Sequence, residues 1–428
     1  MSVLLQHVEV EGSIVDVRIE HGRISAVGSS LEGASRQVEG RGGALLPGLH
    51  DHHIHLFALA SAWRSVDCTR SLEPLAAAPV GSDGWVRGFG TSGTPDRRTL
   101  DLLRSDVPVR VQHRSGALWM LNSAALAEVA AVLDDTGDVE RDVTGKPTGR
   151  LFRFDARLRA ALPSTLPDLS RVVTELHRHG ITGVTDATPD LGARAAEALT
   201  GLRHLRVTVL GGTSGPRKVL LRDHDLPSFH ELADLFGTAH AAGRPVAVHC
   251  VTGESLLLTL AALQEVGGLL GDRIEHAAVV PPGVAERIAD LGAAVVTQPS
   301  FIRLRGDEYL RSVDPDDIPH LYPYRTLIDA GIRVAASSDA PYGDLDPWRT
   351  IGDAVARRSA DGVILGPGER VSFTTALAGY LSPPDDPGGP ARRITSGAPA
   401  DLCLLADPLG VQPPKVRAVV VDGVLLTV

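Results

Sequence analysis

The sequence predicts an α/β protein built on a (β/α)8 TIM barrel, with a composite β-domain formed by both termini and a large insertion after the first barrel strand. Three observations favour this fold. Strand-like and helix-like segments alternate through the centre of the chain, short alternating strands occur at both ends, and a long segment separates the first two central strands. The 428 residues, 43% of them apolar, suffice for a barrel with additions.

Eight short apolar segments are the predicted barrel strands. In chain order they are residues 49–55, 181–186, 205–210, 217–221, 245–249, 273–276, 293–298 and 332–338. Helix-like stretches precede the later strands, and several of these stretches end in a glycine. Because glycine suits the left-handed residue that closes a helix, we expect this conformation at Gly180, Gly243, Gly292 and Gly331.

The domain boundaries follow from where this alternation starts, stops and is interrupted. Residues 1–47 and 396–428 contain hairpin-like strands and are predicted to pair into one small β-domain. Residues 48–395 are the predicted barrel domain. Within it, residues 60–165 exceed a single crossover and are predicted to be an insertion. An insertion after a barrel strand leaves from the face that carries barrel active sites, so we expect it to shape substrate choice.

Composition and charge narrow the class of partner. A net charge of −10 argues against nucleic acid or an anionic membrane, and we expect a small-molecule substrate. Met1–Val10 lacks the pattern of a secretory signal, and no apolar run is long enough to span a bilayer. Cys68, Cys250 and Cys403 are odd in number and far apart, which favours a reducing compartment, the cytoplasm. The sequence is compatible with a homo-oligomer.

The segment Pro47–His55, with the sequence PGLHDHHIH, organises the functional prediction. Alternate side chains of a strand share a face, so Asp51, His53 and His55 are predicted to point the same way. Two imidazoles two residues apart can hold one metal ion, and a nearby acid can orient an imidazole through its second ring nitrogen, a role predicted for Asp51. The alternative is a solvated histidine-rich turn.

Three further polar residues stand at predicted strand ends. His249 ends the fifth strand, His276 ends the sixth, and Asp339 follows the eighth. Polar residues at the C-terminal ends of barrel strands favour catalysis. A single such histidine could be packed or solvent-exposed, but four histidines with an aspartate, in a chain with 16 histidines, predict a metal site.

Lys218 lies on the fourth predicted strand and is one of only three lysines among 42 basic residues. A lysine that points into a barrel is costly unless it is paired or modified. Its neutral amine can add carbon dioxide to form a carbamate that bridges two metal ions, whereas an arginine cannot, because its guanidinium stays protonated. The alternative is a surface lysine near a loop.

Several other residues have two interpretations that the sequence leaves open. Asp186, at the end of the second strand, is either an acid behind the metal ligands or a helix cap. Arg303 either meets a substrate carboxylate or is solvent-exposed. His113, Trp119 and Asn122 of the insertion are candidates for the substrate pocket, with core packing as the alternative for Trp119.

The chain resembles the amidohydrolase superfamily over nearly its full length. The motifs that carry the resemblance are Pro47–His55, Gly183–Ala187, Val248–His249, Ile274–Ala277, Ser338–Ala340 and the closing Gly397–Leu402. Within the superfamily, the insertion motifs His113–Gly116 and Asn122–Leu126 are similar to the branch that contains N-substituted formamide deformylases. The chain departs from that branch at His249–Glu254 and at Ala117, which leaves the substrate open.

The resemblance implies a metal-dependent site with one or two ions. A binuclear site would comprise His53, His55, carbamylated Lys218, His249, His276 and Asp339. A mononuclear site would use His53, His55, His249 and Asp339, with His276 assisting the substrate or the metal. Zn²⁺ is the default for histidine and aspartate ligands, while iron, manganese and nickel stay open.

The implied reaction is hydrolysis of a non-peptide C–N bond in a linear or cyclic amide by a metal-activated hydroxide. A bound metal lowers the pKa of its water to about 7, and Asp339 would act as general base and then as general acid toward the leaving nitrogen. The same centre also serves deamination of a heterocycle or hydrolysis of a lactone. A catalytically silent barrel that acts as a binding protein would be expected to have lost its ligands.

Overall fold

The structure is a computed structural model that describes residues 2–81, 83–162, 166–410 and 413–428. Its strands are β1 (Ser2–Val10), β2 (Ser13–Glu20), β3 (Arg23–Gly28), β4 (Arg36–Glu39), β5 (Leu45–Pro47), β6 (Leu49–Ile54), β7 (Val66–Asp67), β8 (Val86–Thr91), β9 (Val109–His113), β10 (Leu118–Leu121), β11 (Val139–Arg141), β12 (Pro147–Phe152), β13 (Ile181–Asp186), β14 (Arg206–Val209), β15 (Arg217–Leu220), β16 (Val246–Cys250), β17 (Arg273–His276), β18 (Ala294–Thr297), β19 (Val334–Ala336), β20 (Leu402–Leu405), β21 (Val416–Val421) and β22 (Val424–Thr427).

The α-helices connect these strands and cover the sheets. In chain order they are α1 (Leu56–Trp63), α2 (Arg97–Leu103), α3 (Ser123–Glu128), α4 (Asp155–Ala161), α5 (Ser170–Arg178), α6 (Ala193–Thr200), α7 (Phe229–Ala241), α8 (Gly253–Val266), α9 (Val284–Asp290), α10 (Ser300–Ser312), α11 (Tyr324–Asp329), α12 (Pro347–Ala356) and α13 (Phe373–Leu381). The chain divides into two compact units, a main unit of Met1–Leu56 and Ser170–Val428, and an insertion unit of Phe57–Leu169.

The eight strands predicted for the barrel are all present in the main unit, as two parallel sheets. The first sheet has the order β14-β13-β6 and the second has the order β15-β16-β17-β18-β19. The four glycines predicted to be left-handed have φ values between 67° and 81°, which confirms that prediction. The chain order, and the helices that lie between all consecutive strands except β14 and β15, are those of a TIM-barrel-like α/β fold.

The predicted closed barrel is not formed as one continuous ladder by the described strands. Where β14 would meet β15, a single backbone hydrogen bond runs from the amide of Lys218 to the carbonyl of Leu210, at 3.0 Å. Pro216, just before β15, has no amide hydrogen and cannot extend this junction. The two sheets therefore approach each other here without merging.

A side chain interrupts the other junction, where β19 approaches β6. The amide of Asp339 donates to the carbonyl of His53 at 2.8 Å. The amide of Ser338 instead donates to the carboxylate of Asp51, at 3.1 Å. Because a carboxylate replaces a backbone carbonyl at this position, the ladder stops where the candidate functional residues begin.

Strands from the two ends of the chain form two small antiparallel or mixed sheets with a shared core. Their orders are β3-β2-β1-β4 and β22-β21-β20-β5. The predicted hairpins β2–β3 and β21–β22 are confirmed as antiparallel pairs. Val17 and Ile19 of β2 are buried in one cluster with Leu404 and Val420 from the C-terminal strands, so both ends contribute to the same apolar core.

The insertion unit has its own sheet and its own two cores. The strand order is β11-β12-β10-β9-β8-β7, with β7, β8 and β9 parallel and the remaining pairs antiparallel. One cluster contains Val86 and Val111, and the other contains Trp119 and Leu151. In the parts of both units that the structure describes, no helix has the length and apolarity needed to cross a membrane.

Candidate metal centre

His53, His55 and Asp339 bring their side chains together at the C-terminal end of β6 and just after β19. All of β6 is buried, and strand alternation turns both histidines to one side. The Nε2 atoms of His55 and His53 lie 3.2 Å and 3.6 Å from Oδ1 of Asp339. The three candidate ligand atoms lie within 4.8 Å of one another, a spacing that suits one cation with bonds of about 2.1 Å.

A buried carboxylate sets the tautomer of His53. Nδ1 of His53 hydrogen-bonds Oε2 of Glu275, so the proton is assigned to Nδ1 and the lone pair to Nε2. Burial lowers the pKa of His53 well below its ordinary value and keeps the ring neutral. A lone pair and a carboxylate oxygen of Asp339 therefore face each other, an arrangement that a cation between them would stabilise.

Glu275 is in turn held by Arg273, two residues earlier on β17. Nε of Arg273 donates to Oε1 of Glu275 at 2.5 Å, and Nη2 donates to Oε2 at 3.1 Å. Burial acts to raise the pKa of Glu275, but the charges of Arg273 and Lys218 hold it well below its usual range. This pair was not predicted, although two opposite charges at alternate positions of one strand were a usable signal.

A left-handed backbone turns His276 toward the other histidines. His276 lies opposite Cys250 in the β16–β17 register, so alternation alone would place its ring away from His249. The φ of His276 is 71°, and its ring centroid lies 4.5 Å from that of His249 and 4.8 Å from that of His53. Asp339 also has a positive φ, of 52°. Such non-glycine residues concentrate at functional sites.

Gln298 sets the tautomer of His276. Nδ1 of His276 donates to Oε1 of Gln298 at 2.8 Å, and the Gln298 amide donates to Oγ of Ser337 at 2.9 Å, which fixes its orientation. Nε2 of His276 therefore carries the lone pair. Burial lowers the pKa of His276 well below its ordinary value and that of His249 to about 4. Both rings are neutral, the form that binds metals.

Lys218 on β15 is buried in the same electrostatic environment. Lys218 is only 8% exposed. Burial lowers the pKa of its amine, although the negative charges of Glu275 and Asp339 act to raise it. A lowered pKa increases the fraction of neutral amine. The surface-lysine alternative is therefore excluded.

The donor set fits a divalent cation. Among the described residues, Nε2 of His276, Nζ of Lys218 and Oδ1 of Asp339 are buried without a hydrogen-bond partner, which is costly for polar atoms. Burial alone would raise the pKa of Asp339, but His55 and His276 lower it overall, so its oxygens are anionic. Neutral imidazole nitrogens with an anionic oxygen are donors that Zn²⁺ and similar cations prefer.

Asp51 supports the site through the backbone. Its Oδ1 accepts hydrogen bonds from the amides of His53 at 3.2 Å and Ser338 at 3.1 Å. Burial raises the pKa of Asp51 to about 6. Asp51 is predicted to orient an imidazole, whereas the carboxylate that contacts the His53 ring is that of Glu275.

Asp186 supports the site at the start of α1. Its carboxylate accepts hydrogen bonds from the amides of Leu56 at 2.8 Å and Thr188 at 3.0 Å. Thr188 places its hydroxyl 3.4 Å from Nδ1 of His55. Of the two interpretations, the contact with the first residue of a helix favours the cap, and the contact with Thr188 links the same carboxylate indirectly to His55.

Arg303 is held by carboxylates of its own chain. Its Nε lies 3.0 Å from both oxygens of Asp353, and Nη2 lies 2.5 Å from Asp344. Burial raises the pKa of Asp353 to about 6, while the charge of Arg303 opposes the shift. These ion pairs occupy the guanidinium, so a substrate carboxylate, one of the two predicted alternatives for Arg303, would have to compete with them.

Asn122 is fully committed to the backbone of the insertion unit. Its Oδ1 accepts hydrogen bonds from the amides of Val109 at 2.9 Å and Ala125 at 2.8 Å, and its Nδ2 donates to the carbonyls of Arg104 and Val107, both at 2.8 Å. These four bonds use the whole capacity of the side-chain amide. The structure thus gives Asn122 a structural role in place of the predicted substrate contact.

The other two candidates of the insertion unit also have partners within that unit. The indole of Trp119 is buried in a core cluster and donates to Asp155 at 2.9 Å, which favours the core-packing interpretation. The ring of His113 lies 2.8 Å from Oγ of Ser115 and 3.2 Å from the carbonyl of Ser92. His113 is half-buried, and its role in substrate binding stays a prediction.

The TIM-barrel-like strand order and the buried cluster of histidines and an aspartate together define an α/β protein with a candidate metal centre at the ends of its strands. Residues 38–427 match the model of the amidohydrolase family, and the chain belongs to that family. It is therefore an enzyme of the amidohydrolase type.

This chain is similar to known proteins and solved structures over nearly its whole length. The N-substituted formamide deformylase of Arthrobacter pascens is 28% identical, across 96% of this chain and 94% of that protein. Uncharacterised metal-dependent hydrolases from Pyrococcus horikoshii and Pyrococcus furiosus have the same fold. Their TM-scores are 0.76 and 0.74, at 19% and 21% identity, over 95% and 94% of this chain and 97% and 98% of theirs.

Proposed function

We propose that this enzyme hydrolyses a non-peptide C–N bond in a small linear or cyclic amide. The observation that carries the proposal is the convergence of His53, His55 and Asp339, in which the neutral imidazole of His53, the imidazole of His55 and an anionic carboxylate are directed at one point. The formamide deformylase, which aligns with 96% of this chain, supports an amide as the substrate class.

We further propose Zn²⁺ as the cation, bound by His53, His55 and Asp339. A second ion at His249 and His276, bridged by carbamylated Lys218, is supported by the 4.5 Å separation of the two rings and by the buried, unpaired amine. A mononuclear site without Lys218 is the alternative, and metal content distinguishes the two.

The side chains then have separate tasks. When bound, a divalent cation supplies an acidified water and a Lewis acid for the substrate carbonyl. The carboxylate of Asp339 accepts the proton of the attacking water and passes it to the leaving nitrogen. Glu275 keeps Nε2 of His53 directed at the centre, so the geometry is in place before the substrate arrives.

The domain boundaries and the cellular compartment are proposed from the sequence. We take residues 48–395 as a barrel domain that contains the insertion 60–165, and residues 1–47 with 396–428 as the composite β-domain. Cys68, Cys250 and Cys403 are free and buried, which supports a reducing compartment such as the cytoplasm.

The test compares wild type, Asp339→Asn and Asp290→Asn on N-substituted formamides, with release of formate and amine measured, and on a cyclic imide, with formation of the ring-opened carboxylate measured. Asp290 is an exposed residue at the end of α9 and serves as the matched control. We expect chelator-sensitive hydrolysis that is restored by zinc, with Asp339→Asn slower by about a thousandfold. Ammonia release from heterocyclic amines without amide cleavage would assign the enzyme to the deaminases instead.

A further inference from the structure

A cavity in the main unit lies at the opposite end of the strands from the metal centre. Its volume is about 710 Å³, within the range of small-molecule sites. Pro47 and His50 line it at the start of β6, whereas His53 and His55 stand at the other end of that strand. The turn between β2 and β3 and the segment 384–402 supply other parts of its wall.

Four guanidinium groups line this cavity against two carboxylates. They belong to Arg23, Arg206, Arg392 and Arg393, and to Asp401 and Asp422. Arg206 pairs with both carboxylates, at 2.5 Å from Nε to Oδ2 of Asp401 and in direct contact with Asp422. Arg393 pairs with Glu11. These partners balance two of the four cations.

Among the described residues, Arg23 and Arg392 have no carboxylate within ion-pair distance, although the charge of Asp401 also acts on Arg392. Nη1 of Arg23 donates to the carbonyl of Gly397 at 2.7 Å. Arg392 donates from Nε to Leu381 at 3.1 Å and from Nη2 to Gly48 at 2.6 Å, in both cases to carbonyl oxygens. Within the described ranges, neither guanidinium has a carboxylate in ion-pair contact. Arg392 is half-buried, and a shielded cation without a directly paired anion is unfavourable.

The rest of the lining is largely uncharged. Pro47, Pro399 and Leu402 provide apolar surface, and Thr182 provides a hydroxyl group. A planar carboxylate matches the fork of a guanidinium group, and a hydrocarbon body matches the proline and leucine surface. We propose that this cavity binds a small organic carboxylate, with the carboxylate between Arg23 and Arg392. The proposal is independent of the hydrolytic activity proposed above.

The experiment is calorimetric titration of the zinc-loaded protein with benzoate, with uncharged benzamide and with inorganic phosphate. The variants are Arg23→Gln, Arg392→Gln and Asp339→Asn. Arg358→Gln is the matched control for Arg23→Gln. Like Arg23, Arg358 is exposed and donates through Nη1 to a glycine carbonyl, that of Gly362 at 3.0 Å.

We expect benzoate to bind wild type, Arg358→Gln and Asp339→Asn alike, and Arg23→Gln about tenfold more weakly, with benzamide much weaker than benzoate. Arg23→Gln keeps the proposal testable if Arg392→Gln fails to fold. Four results would overturn it: absence of benzoate binding, equal binding in Arg23→Gln and wild type, loss of binding in Asp339→Asn but not in Arg23→Gln, or tighter binding of phosphate than of benzoate.

Discussion

Glu275 hydrogen-bonds Nδ1 of His53 across 222 residues of sequence, and this contact decides which nitrogen of His53 faces Asp339. Both side chains are buried, and Glu275 is anchored by Arg273 on the same strand. The orientation of His53 as a candidate ligand thus depends on the ion pair of Glu275 with Arg273, which lies outside the candidate ligand set.

Glu275→Gln is expected to weaken metal binding by about 10- to 100-fold, because the glutamine keeps the size of the side chain but removes the charge that polarises the imidazole. The free energy of unfolding is expected to fall by about 3 kcal/mol, since Arg273 loses its buried counter-charge. A competition titration against a chelating indicator measures the first effect and denaturant unfolding measures the second.

The control is Glu286→Gln, which removes an exposed carboxylate from the first turn of α9. It is expected to leave metal affinity unchanged. Equal metal affinity in the two variants would show that Glu275 does not act through His53.

Lys218→Ala tests the binuclear proposal. We expect metal content to fall from about two equivalents per chain to about one, and a short carboxylic acid to restore part of it by replacing the lost bridging carboxylate. Metal analysis of protein grown with ample zinc measures this, with the exposed Lys415→Ala as control. One equivalent in both wild type and Lys218→Ala would instead support the mononuclear site.

The residues that converge at the candidate metal centre could be predicted because their signals are local. Strand alternation places His53 and His55 on one face, and a strand end needs only its own sequence to be recognised. Glu275 was missed because its partner lies on another strand, and sequence spacing does not show which imidazole a carboxylate meets. His276 was predicted, but its direction depends on a φ of 71° that the strand pattern does not reveal.

The limits of the fold prediction have a similar cause. The eight strands are bounded by glycine and polar residues and were found within a few positions. The ladder is interrupted at two junctions. At the junction of β19 and β6, Asp51 takes the amide of Ser338, a choice between side chain and backbone that sequence does not show. The helix α10 was not predicted. Its buried apolar residues, Phe301 and Ile302, are adjacent near its start, and arginines and acidic residues fill much of the remaining surface, so these two apolar residues do not repeat at helical spacing.

Tyr342 is predicted to contact the substrate. Its ring meets the His55 ring edge-on, with centroids 5.7 Å apart, and 58% of the residue is exposed. Tyr342→Ala is expected to raise KM about tenfold for amides with an aromatic or apolar substituent and to change kcat little, because an aromatic contact is lost. Steady-state kinetics over a substrate series measures this, and Tyr342→Phe should behave as wild type. A fall in kcat at unchanged KM would point to a role through His55 instead.

Asn122→Ala separates a structural role from a substrate contact in the insertion unit. The variant leaves four backbone groups without their side-chain partner, so we expect the free energy of unfolding of this unit to fall by about 3 kcal/mol. Denaturant unfolding followed by tryptophan fluorescence, to which Trp85 and Trp119 contribute, measures the change.

Metal content and KM are expected to stay unchanged in Asn122→Ala, because every hydrogen bond of this side chain ends on the backbone of its own unit. Ser123→Ala is the control, since it removes from the next residue an exposed hydroxyl with a single hydrogen bond, to Asp101, and its effect on unfolding should stay below about 1.5 kcal/mol. An Asn122→Ala protein with wild-type stability and a raised KM would reverse the assignment, because a side chain with four structural hydrogen bonds cannot be removed without loss of stability.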